Sequence, residues 1–385
     1  MEEWKKGFRG VVSVVTGGGK TAFAEMCMLE FRQRYPAGRF LIVVPTTALL
    51  DQWYVSLEED LGVLPHEITT YSGEHRSASP SVVSLFVINT AREWVDRVTT
   101  DLPTFMIVDE CHRAGSEVNR LALGGVHAAA LGLSATPVRE YDTGFEEYIA
   151  PVLGSIIFEY DYQAARADGI VSPFELINVR VDLLPDEKRQ YDELTTRIAR
   201  MAGRLKRTSG SPEGLRRLLQ RRAMVGASAT VRIPVAAKLI EMHPGRRSLV
   251  FHERIDAAES IARILATRGT NVATYHSGIG ESIRRENLRL FRKGVFECLV
   301  TCRALDEGAN VPDTSLAVIA SSTRSRRQRI QRLGRVLRVA PGKSHSSIYT
   351  IFATPAEELQ LAKEAEGLQD VVEVKWMTGI AERNG

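Results

Sequence analysis

Cysteine is scarce in this sequence, and long apolar runs are absent from it. No CxxC pair is formed by any of its four cysteines, Cys27, Cys111, Cys298 and Cys302. This argues against a structural zinc site or a redox dithiol and favours a reducing compartment. The longest apolar runs are strand-sized, far short of the roughly 20 residues that cross a bilayer. The N-terminus lacks the order of a secretory signal, so we expect a cytoplasmic protein without a membrane segment.

A strong charge of one sign is also missing. The formal net charge of +3 does not by itself indicate nucleic-acid binding, because a phosphate-binding surface depends on local clusters of Lys and Arg. The 385 residues are 44% hydrophobic and 25% charged, which is typical of a globular protein with more than one core. Composition therefore predicts two domains and leaves the partner to local motifs.

Two stretches of the chain alternate strand-like apolar runs with helical segments. The first contains VVSVV, FLIVV, SLFVI, FMIVD and AALGLSA, and the second contains RSLVFHE, NVATYH, FECLVT, SLAVIA and SSIYTIF. This rhythm predicts parallel sheets covered by helices. Between the two stretches, residues 186–224 read as two charged amphipathic helices separated by the breaker run TSGSPEG.

These patterns divide the chain into four parts. We expect a first lobe (1–160), a connector with a helical insertion (161–245), a second lobe (246–355) and a C-terminal helical tail (356–385). The connector's RRLLQRR stretch fits a solvated helix face better than a phosphate contact.

A glycine-rich turn follows the first strand and precedes a helix, which is the context of a phosphate-binding loop. Glycines let backbone N–H groups curl around phosphates, a lysine reaches the terminal phosphates, and a threonine hydroxyl ligates Mg²⁺. A glycine turn without phosphate is the alternative, because Val14 stands where the strict GxxxxGK pattern has glycine. The candidate ATP-binding residues are Thr16, Gly17, Gly18, Gly19, Lys20 and Thr21.

Two adjacent carboxylates stand at the end of the strand FMIV, where ligands of open α/β sheets bind. We expect Asp109 to hold Mg²⁺ through water, and Glu110 to take a proton from the attacking water or orient it. A helix cap is the alternative interpretation. Further along the chain, the hydroxyls of Ser134 and Thr136 in LSATP are candidates for sensing the γ-phosphate and coupling it to movement.

In this order and spacing, GGGKT, DECH and LSATP resemble motifs I, II and III of superfamily 2 helicases. The resemblance covers about residues 10–355 and implies an α/β protein of two tandem RecA-like parallel-sheet lobes joined by a helical connector. It also implies ATP and Mg²⁺ as cofactors. Pro45 and Thr46, with LLDQW, resemble motif Ia, and VINT ending at Thr90 resembles motif Ic. Such segments hold the nucleic-acid backbone in the family, which suits small donors that grip phosphates without reading bases.

The second lobe carries an arginine-rich stretch, SSTRSRRQRIQRLGRVLR, with seven arginines. Its end resembles motif VI, and we assign Gln331, Arg335 and Arg338 to catalysis. The two arginines are three residues apart, so they share a helix face and are expected to supply positive charge to the γ-phosphate. A basic helix that grips phosphates is the alternative.

Two further segments extend the resemblance in the second lobe. Asp306 and Gly308, which follow Thr301, resemble motif V, so the first two are candidates for ATP binding and Thr301 for nucleic-acid binding. The loop at His276 and Ser277 resembles a backbone-contact loop next to motif IV.

The DECH form, the RRQRIQRLGRVLR stretch and DYQAARADGIVSPFE resemble the XPB-like and type III restriction-like branch, whose members act on duplex DNA. We therefore expect an ATP-dependent DNA helicase or translocase in a repair, restriction or phage-defence system. An RNA helicase, or an ATP-switch subunit of a larger nucleic-acid complex, is the alternative. The family's adenine-reading segment is not recognised before the first strand, so we expect a protein partner to supply it or to select the target.

Overall fold

In the computed structural model, the chain divides into two compact units, with the boundary near residue 171. The structure describes all residues except 16–17, 74–80, 99–100, 136, 138–142, 161–163, 165–167, 169–173, 206–212, 303–313, 322–345, 367–371 and 380–385. We call the described residues before the boundary the first lobe and those after it the second lobe. Each lobe is described by itself.

The described part of the first lobe contains one sheet of seven strands, all paired in parallel. The strands are β1 (Arg9–Val14), β2 (Arg39–Val44), β3 (Ile68–Tyr71), β4 (Val83–Val87), β5 (Thr104–Asp109), β6 (Ala129–Ser134) and β7 (Ile156–Tyr160). Their order is β3-β4-β2-β5-β6-β1-β7. Because neighbouring strands run in the same direction, their carboxyl ends meet at one edge of the sheet.

Helices cover both faces of this sheet, which is why its strands are apolar on both sides. Alternate residues of β1 enter different cores: Val12 and Val14 pack on one face, and Val11 packs on the other. The helices are α1 (Glu2–Gly7), α2 (Lys20–Arg34), α3 (Thr47–Glu59), α4 (Ile88–Val98) and α5 (Ala150–Leu153).

A tryptophan near the N-terminus anchors α1 to the sheet. Trp4 is fully buried, and its ring packs against Phe8 and Phe105. Its indole N–H donates a hydrogen bond to the backbone carbonyl of Ala130, with an Nε1–O distance of 3.1 Å. The polar tip of this large apolar side chain is therefore satisfied inside the core.

The described part of the second lobe also contains one parallel sheet of seven strands. They are β8 (Phe174–Arg180), β9 (Ser248–His252), β10 (Val272–Tyr275), β11 (Cys298–Cys302), β12 (Leu316–Ile319), β13 (Ser346–Phe352) and β14 (Glu373–Thr378). Their order is β10-β11-β9-β12-β13-β8-β14. The predicted α/β fold with two parallel-sheet lobes is confirmed.

The second lobe also holds a helical hairpin. Its two helices pack around four buried side chains: Tyr191, Leu194, Leu218 and Val225. The helices of the lobe are α6 (Pro185–Leu205), α7 (Glu213–Ala227), α8 (Arg232–Glu241), α9 (Ile255–Thr267), α10 (Glu281–Arg292) and α11 (Pro355–Glu366), of which α6 and α7 form the hairpin. Among the described helices, none alone is long and apolar enough to cross a membrane; α7 and α8, bent by 42°, reach that length and apolarity only as a pair.

Two strands of the second sheet lie in segments to which the sequence analysis gave other roles. β8 falls within the predicted connector but pairs with β13 and β14. β14 falls within the expected helical tail, after α11. Both segments pair with strands that are distant in sequence, which local patterns do not encode. The hairpin follows β8 along the chain.

A buried arginine joins several elements of the second lobe. Arg232 is fully buried, and its guanidinium makes two hydrogen bonds of 2.8 Å to the two carboxylate oxygens of Glu357 in α11. The same group donates to the carbonyls of Gly226, Ala320 and Ile351 at 2.8, 2.9 and 2.5 Å. One side chain thereby connects the α7–α8 junction, the ends of two strands and a helix.

Candidate nucleotide-binding site

The phosphate-loop residues that the structure describes connect β1 to α2. The Gly18 N–H donates to the carbonyl of Val15 over 2.9 Å, and a Cβ on Gly18 would lie 2.5 Å from Cγ1 of Val14. The next residue, Gly19, has a φ of 90° and is the N-cap of α2. This turn requires glycine for two reasons: neighbouring atoms leave no room for a side chain at Gly18, and the backbone of Gly19 is left-handed.

Lys20 and Thr21 form the first turn of α2, at the helix end that attracts anions. Nζ of Lys20 donates a hydrogen bond to the carbonyl of Val14 over 3.1 Å. The ammonium group of Lys20 therefore lies against the loop that it follows, and its role in binding phosphate stays a prediction.

Asp109 is the last residue of β5, and only 7% of its surface is exposed. Its Oδ2 accepts a hydrogen bond from the indole N–H of Trp53 (3.0 Å), and its Oδ1 accepts one from the backbone N–H of Glu110 (2.9 Å). Burial and then the charge of Glu110 raise the pKa of the Asp109 carboxyl to about 6, whereas the charge of Lys20 lowers it. The carboxylate thus stands in an environment that favours a nearby cation.

Glu110 adopts a backbone conformation that is rare outside glycine. Its φ and ψ are 50° and 48°, in the left-handed region. Such a conformation costs a non-glycine residue on the order of 1–3 kcal/mol and is concentrated at functional sites. Its carbonyl accepts a hydrogen bond from the Arg113 N–H (2.9 Å), which helps to hold the turn after β5.

A histidine connects the ends of β5 and β6, which are neighbouring strands. Nδ1 of His112 lies 3.0 Å from Oγ of the buried Ser134 and 3.4 Å from Oε2 of Glu110. The carboxylate expected to act on water and the hydroxyl expected to sense phosphate therefore contact the same imidazole nitrogen. The coupling role of Ser134 stays a prediction.

Cys111, the third residue of DECH, is fully buried, and a Cβ on Gly132 would lie 3.2 Å from its Sγ. Burial, followed by the charges of Glu110 and Asp109, raises the pKa of its thiol far above the ordinary value. Because a thiol must ionise to act as a nucleophile or a soft metal ligand, Cys111 is a packing residue.

The oxygen donors at this edge suit Mg²⁺. Asp109 offers a buried carboxylate and Thr21 a hydroxyl, both hard ligands of the kind that Mg²⁺ takes together with phosphate oxygens and water. Among the described residues, no group of three or more His, Cys, Asp or Glu side chains is placed to hold a metal ion.

Several candidate site residues lie outside the described residues. They are Thr16, Gly17, Thr136, Asp306, Gly308, Gln331, Arg335 and Arg338. Their assigned roles stay predictions.

The first-lobe candidates for nucleic-acid binding have hydroxyls that serve the lobe itself. Thr46, which follows Pro45, is the N-cap of α3, and its hydroxyl accepts a hydrogen bond from the Leu49 N–H (3.3 Å). The buried Thr90 accepts one from the Gly73 N–H (3.3 Å). These contacts fix the loops at the edge, and the nucleic-acid role of these residues stays a prediction.

The second-lobe candidates are also largely internal. Nε2 of the buried His276 lies 2.6 Å from Oε1 of Glu259, and its Nδ1 accepts a hydrogen bond from the Gly278 N–H (3.2 Å). This histidine shapes the loop that presents the exposed Ser277. Thr301 is fully buried within β11.

One site residue was missed by the sequence analysis. Trp53 belongs to LLDQW, which the resemblance assigns to the nucleic-acid side, yet it is 1% exposed and contacts Asp109. A contact between residues 56 positions apart leaves no local sequence signal.

The sequence of the chain matches known families and known proteins. Residues 1–139 match the family described as the type III restriction enzyme res subunit, and residues 232–340 match the helicase conserved C-terminal domain. The chain is 26% identical to the DNA 3'-5' translocase XPB2 of Sulfurisphaera tokodaii, covering 88% of this chain and 76% of that protein. It is 24% identical to the DNA 3'-5' helicase XPB of Mycobacterium tuberculosis, covering 92% and 60%. The chain is a superfamily 2 helicase core of the XPB-like and type III restriction-like branch.

Another relative of this helicase core is a putative DNA 3'-5' helicase Rad25 of Haloarcula marismortui, 30% identical over 88% of the chain and 50% of that protein. The chain thus spans half to three quarters of the length of these relatives.

Two solved structures share the fold. Saccharomyces cerevisiae Dbp5 bound to RNA and ADP BeF3 has a TM-score of 0.62 at 14% identity, covering 96% of this chain and 85% of that one. The Pyrococcus furiosus Hef helicase domain has a TM-score of 0.52 at 17% identity, covering 94% and 96%. At these identities the likeness establishes the RecA-like fold of the helicase core.

Proposed function

We propose that this helicase core hydrolyses ATP and uses the energy to move along DNA as a helicase or translocase. The observation that carries the proposal is the group formed at one sheet edge by Lys20, Asp109, Glu110 and Ser134, in a chain related to proteins named DNA 3'-5' helicases and translocases. A phosphate loop alone would support only nucleotide binding. The additional carboxylate and its connection to Ser134 support hydrolysis coupled to a change in the protein.

The roles of the first-lobe residues follow from their chemistry. The glycine turn and the α2 N-terminus bind the phosphates, and Lys20 neutralises their terminal charge. Thr21 and Asp109 would hold Mg²⁺, which supplies further charge neutralisation when it is bound. Glu110 accepts a proton from the attacking water or orients that water, which accords with its strained and fixed backbone.

The remaining roles rest on the resemblance to superfamily 2 helicases. Arg335 and Arg338 stabilise the charge on the transferred phosphate, and Gln331 belongs to the same segment. Pro45, Thr46, Ser277 and their neighbouring loops contact the nucleic-acid backbone, so binding depends little on base sequence.

ATP turnover should be measured with single-stranded DNA, duplex DNA, RNA and no nucleic acid. We expect DNA to stimulate turnover more than RNA does. The matched variant is Lys20→Ala, which removes the loop's cation at a half-buried helix start and should abolish turnover while the protein still unfolds at the parent temperature. Stimulation by RNA alone would replace DNA with RNA in the proposal, and full turnover in Lys20→Ala would overturn the site.

A further inference from the structure

The indole of Trp53 reaches the carboxylate expected to hold the metal. Its N–H donates to Oδ2 of Asp109 over 3.0 Å, and both side chains are buried. A side chain with 1% exposure is not available to nucleic acid, so the tryptophan of LLDQW acts inside the lobe.

Two donors hold the two oxygens of this carboxylate separately. Trp53 occupies one lone pair of Oδ2, and the Glu110 backbone N–H, at 2.9 Å, occupies one of Oδ1. Each oxygen keeps further acceptor capacity for metal-bound water. A carboxylate held at both oxygens has a fixed rotation, so its free lone pairs keep one direction.

The helix that carries the indole is itself tied down. Trp53 lies about two turns into α3, whose first turn is capped by the Thr46 hydroxyl. Further along α3, the Ser56 hydroxyl donates to Oε1 of Glu25 over 2.6 Å, and Glu25 belongs to α2, the helix that starts at the phosphate loop. The donor is therefore held in a constant position relative to that helix.

We propose that Trp53 is a positioning residue of the metal site: its N–H orients the Asp109 carboxylate toward a divalent cation bound with the nucleotide. This rests on the proposed ATP-binding function. Hydrogen-bond donors behind metal ligands typically contribute 10–100-fold in metal affinity. Phenylalanine at this position keeps an aromatic ring and removes the donor.

The chain offers a matched control in Trp4. It is also fully buried in the first lobe, and its indole N–H donates to a carbonyl oxygen over 3.1 Å. Trp4→Phe therefore removes a similar ring and a similar hydrogen bond without touching Asp109. A second test residue, β-(3-benzothienyl)alanine at position 53, keeps the bicyclic shape and removes only the N–H, so it serves even if Trp53→Phe fails to fold.

The experiment measures Mn²⁺ binding, by electron paramagnetic resonance, to the full chain with a non-hydrolysable ATP analogue. Mn²⁺ reports on a site built for Mg²⁺ because both prefer oxygen ligands in octahedral geometry. We expect both changes at position 53 to weaken Mn²⁺ binding about 10-fold or more. Trp4→Phe should bind Mn²⁺ like the parent, although we expect its thermal stability to fall about as much as that of the position 53 variants.

Two results would overturn the inference while leaving the proposed function in place. One is parent-like Mn²⁺ affinity in the position 53 variants; the other is an equal loss in Trp4→Phe, which would mean general destabilisation. If the parent binds neither the analogue nor Mn²⁺ with it, the proposed function fails, and this inference fails with it.

Discussion

Replacing Arg232 by methionine should destabilise the second lobe severely. The substitution keeps an unbranched side chain of similar length but removes all of the guanidinium hydrogen bonds. Glu357 would lose both bonds to its charge partner, and the carbonyls of Gly226, Ala320 and Ile351 would each lose a donor.

The size of the effect follows from burial. The Arg232 side chain is 0% exposed and that of Glu357 is 14% exposed, so water does not replace the lost partner efficiently. Removing one member of a buried ion pair costs about 3–5 kcal/mol, because the other charge remains without compensation. This is a large part of the roughly 5–15 kcal/mol that stabilises a typical native protein.

The matched control is Arg189→Met, which removes an arginine from the exposed ion pair with Asp186. Surface pairs of this kind contribute about 0–1 kcal/mol. Urea unfolding of the parent and both variants gives the free energies, and hydrogen exchange of the β12 and β13 amides locates the change. The reasoning is refuted if Arg232→Met loses no more stability than Arg189→Met.

Three further predictions concern catalysis and pH. Glu110→Gln should bind ATP with parent affinity but hydrolyse it slowly, because the amide keeps the shape and cannot take a proton; weak ATP binding with normal turnover, measured by calorimetry and phosphate release, would contradict this. Arg335→Ala should keep ATP affinity and lose about 10³–10⁵ in DNA-stimulated turnover, and stimulation equal to the parent would reject the arginine-finger role. Burial, followed by the charge of Arg232, lowers the pKa of His252 from 6.5 to about 4. As the pH falls, the unfolded chain therefore protonates His252 before the folded protein does. The free energy of unfolding is lost between pH 6.5 and pH 4, by up to about 3 kcal/mol. If His252→Asn loses as much stability over this pH range in urea unfolding, His252 is excluded as the source.

The parts of the fold that could be predicted from sequence depend on local patterns. The runs that became β1, β2, β5 and β6 are short, apolar and separated by helical segments, so hydrophobic periodicity identifies them directly. Lys20, Asp109 and Glu110 were identifiable because each stands at or just after the end of a strand, in a motif with its own chemistry.

Contacts between distant segments could not be predicted in this way. Nothing in LLDQW indicates that Trp53 turns inward to Asp109, because the contact depends on how α3 packs against the sheet. The same holds for the His112 ring, whose contact with Ser134 depends on β5 and β6 being neighbours. Both contacts complete the site, and both arise from packing.

The central claim is that ATP hydrolysis at this site moves the protein along DNA. It is tested most directly by displacement of a labelled third strand from a tailed DNA duplex, followed in the presence of ATP and Mg²⁺. The account predicts displacement by the parent with ATP, and none by Glu110→Gln or with a non-hydrolysable analogue. ATP hydrolysis by the parent in the presence of this DNA, without any strand displacement, would contradict it.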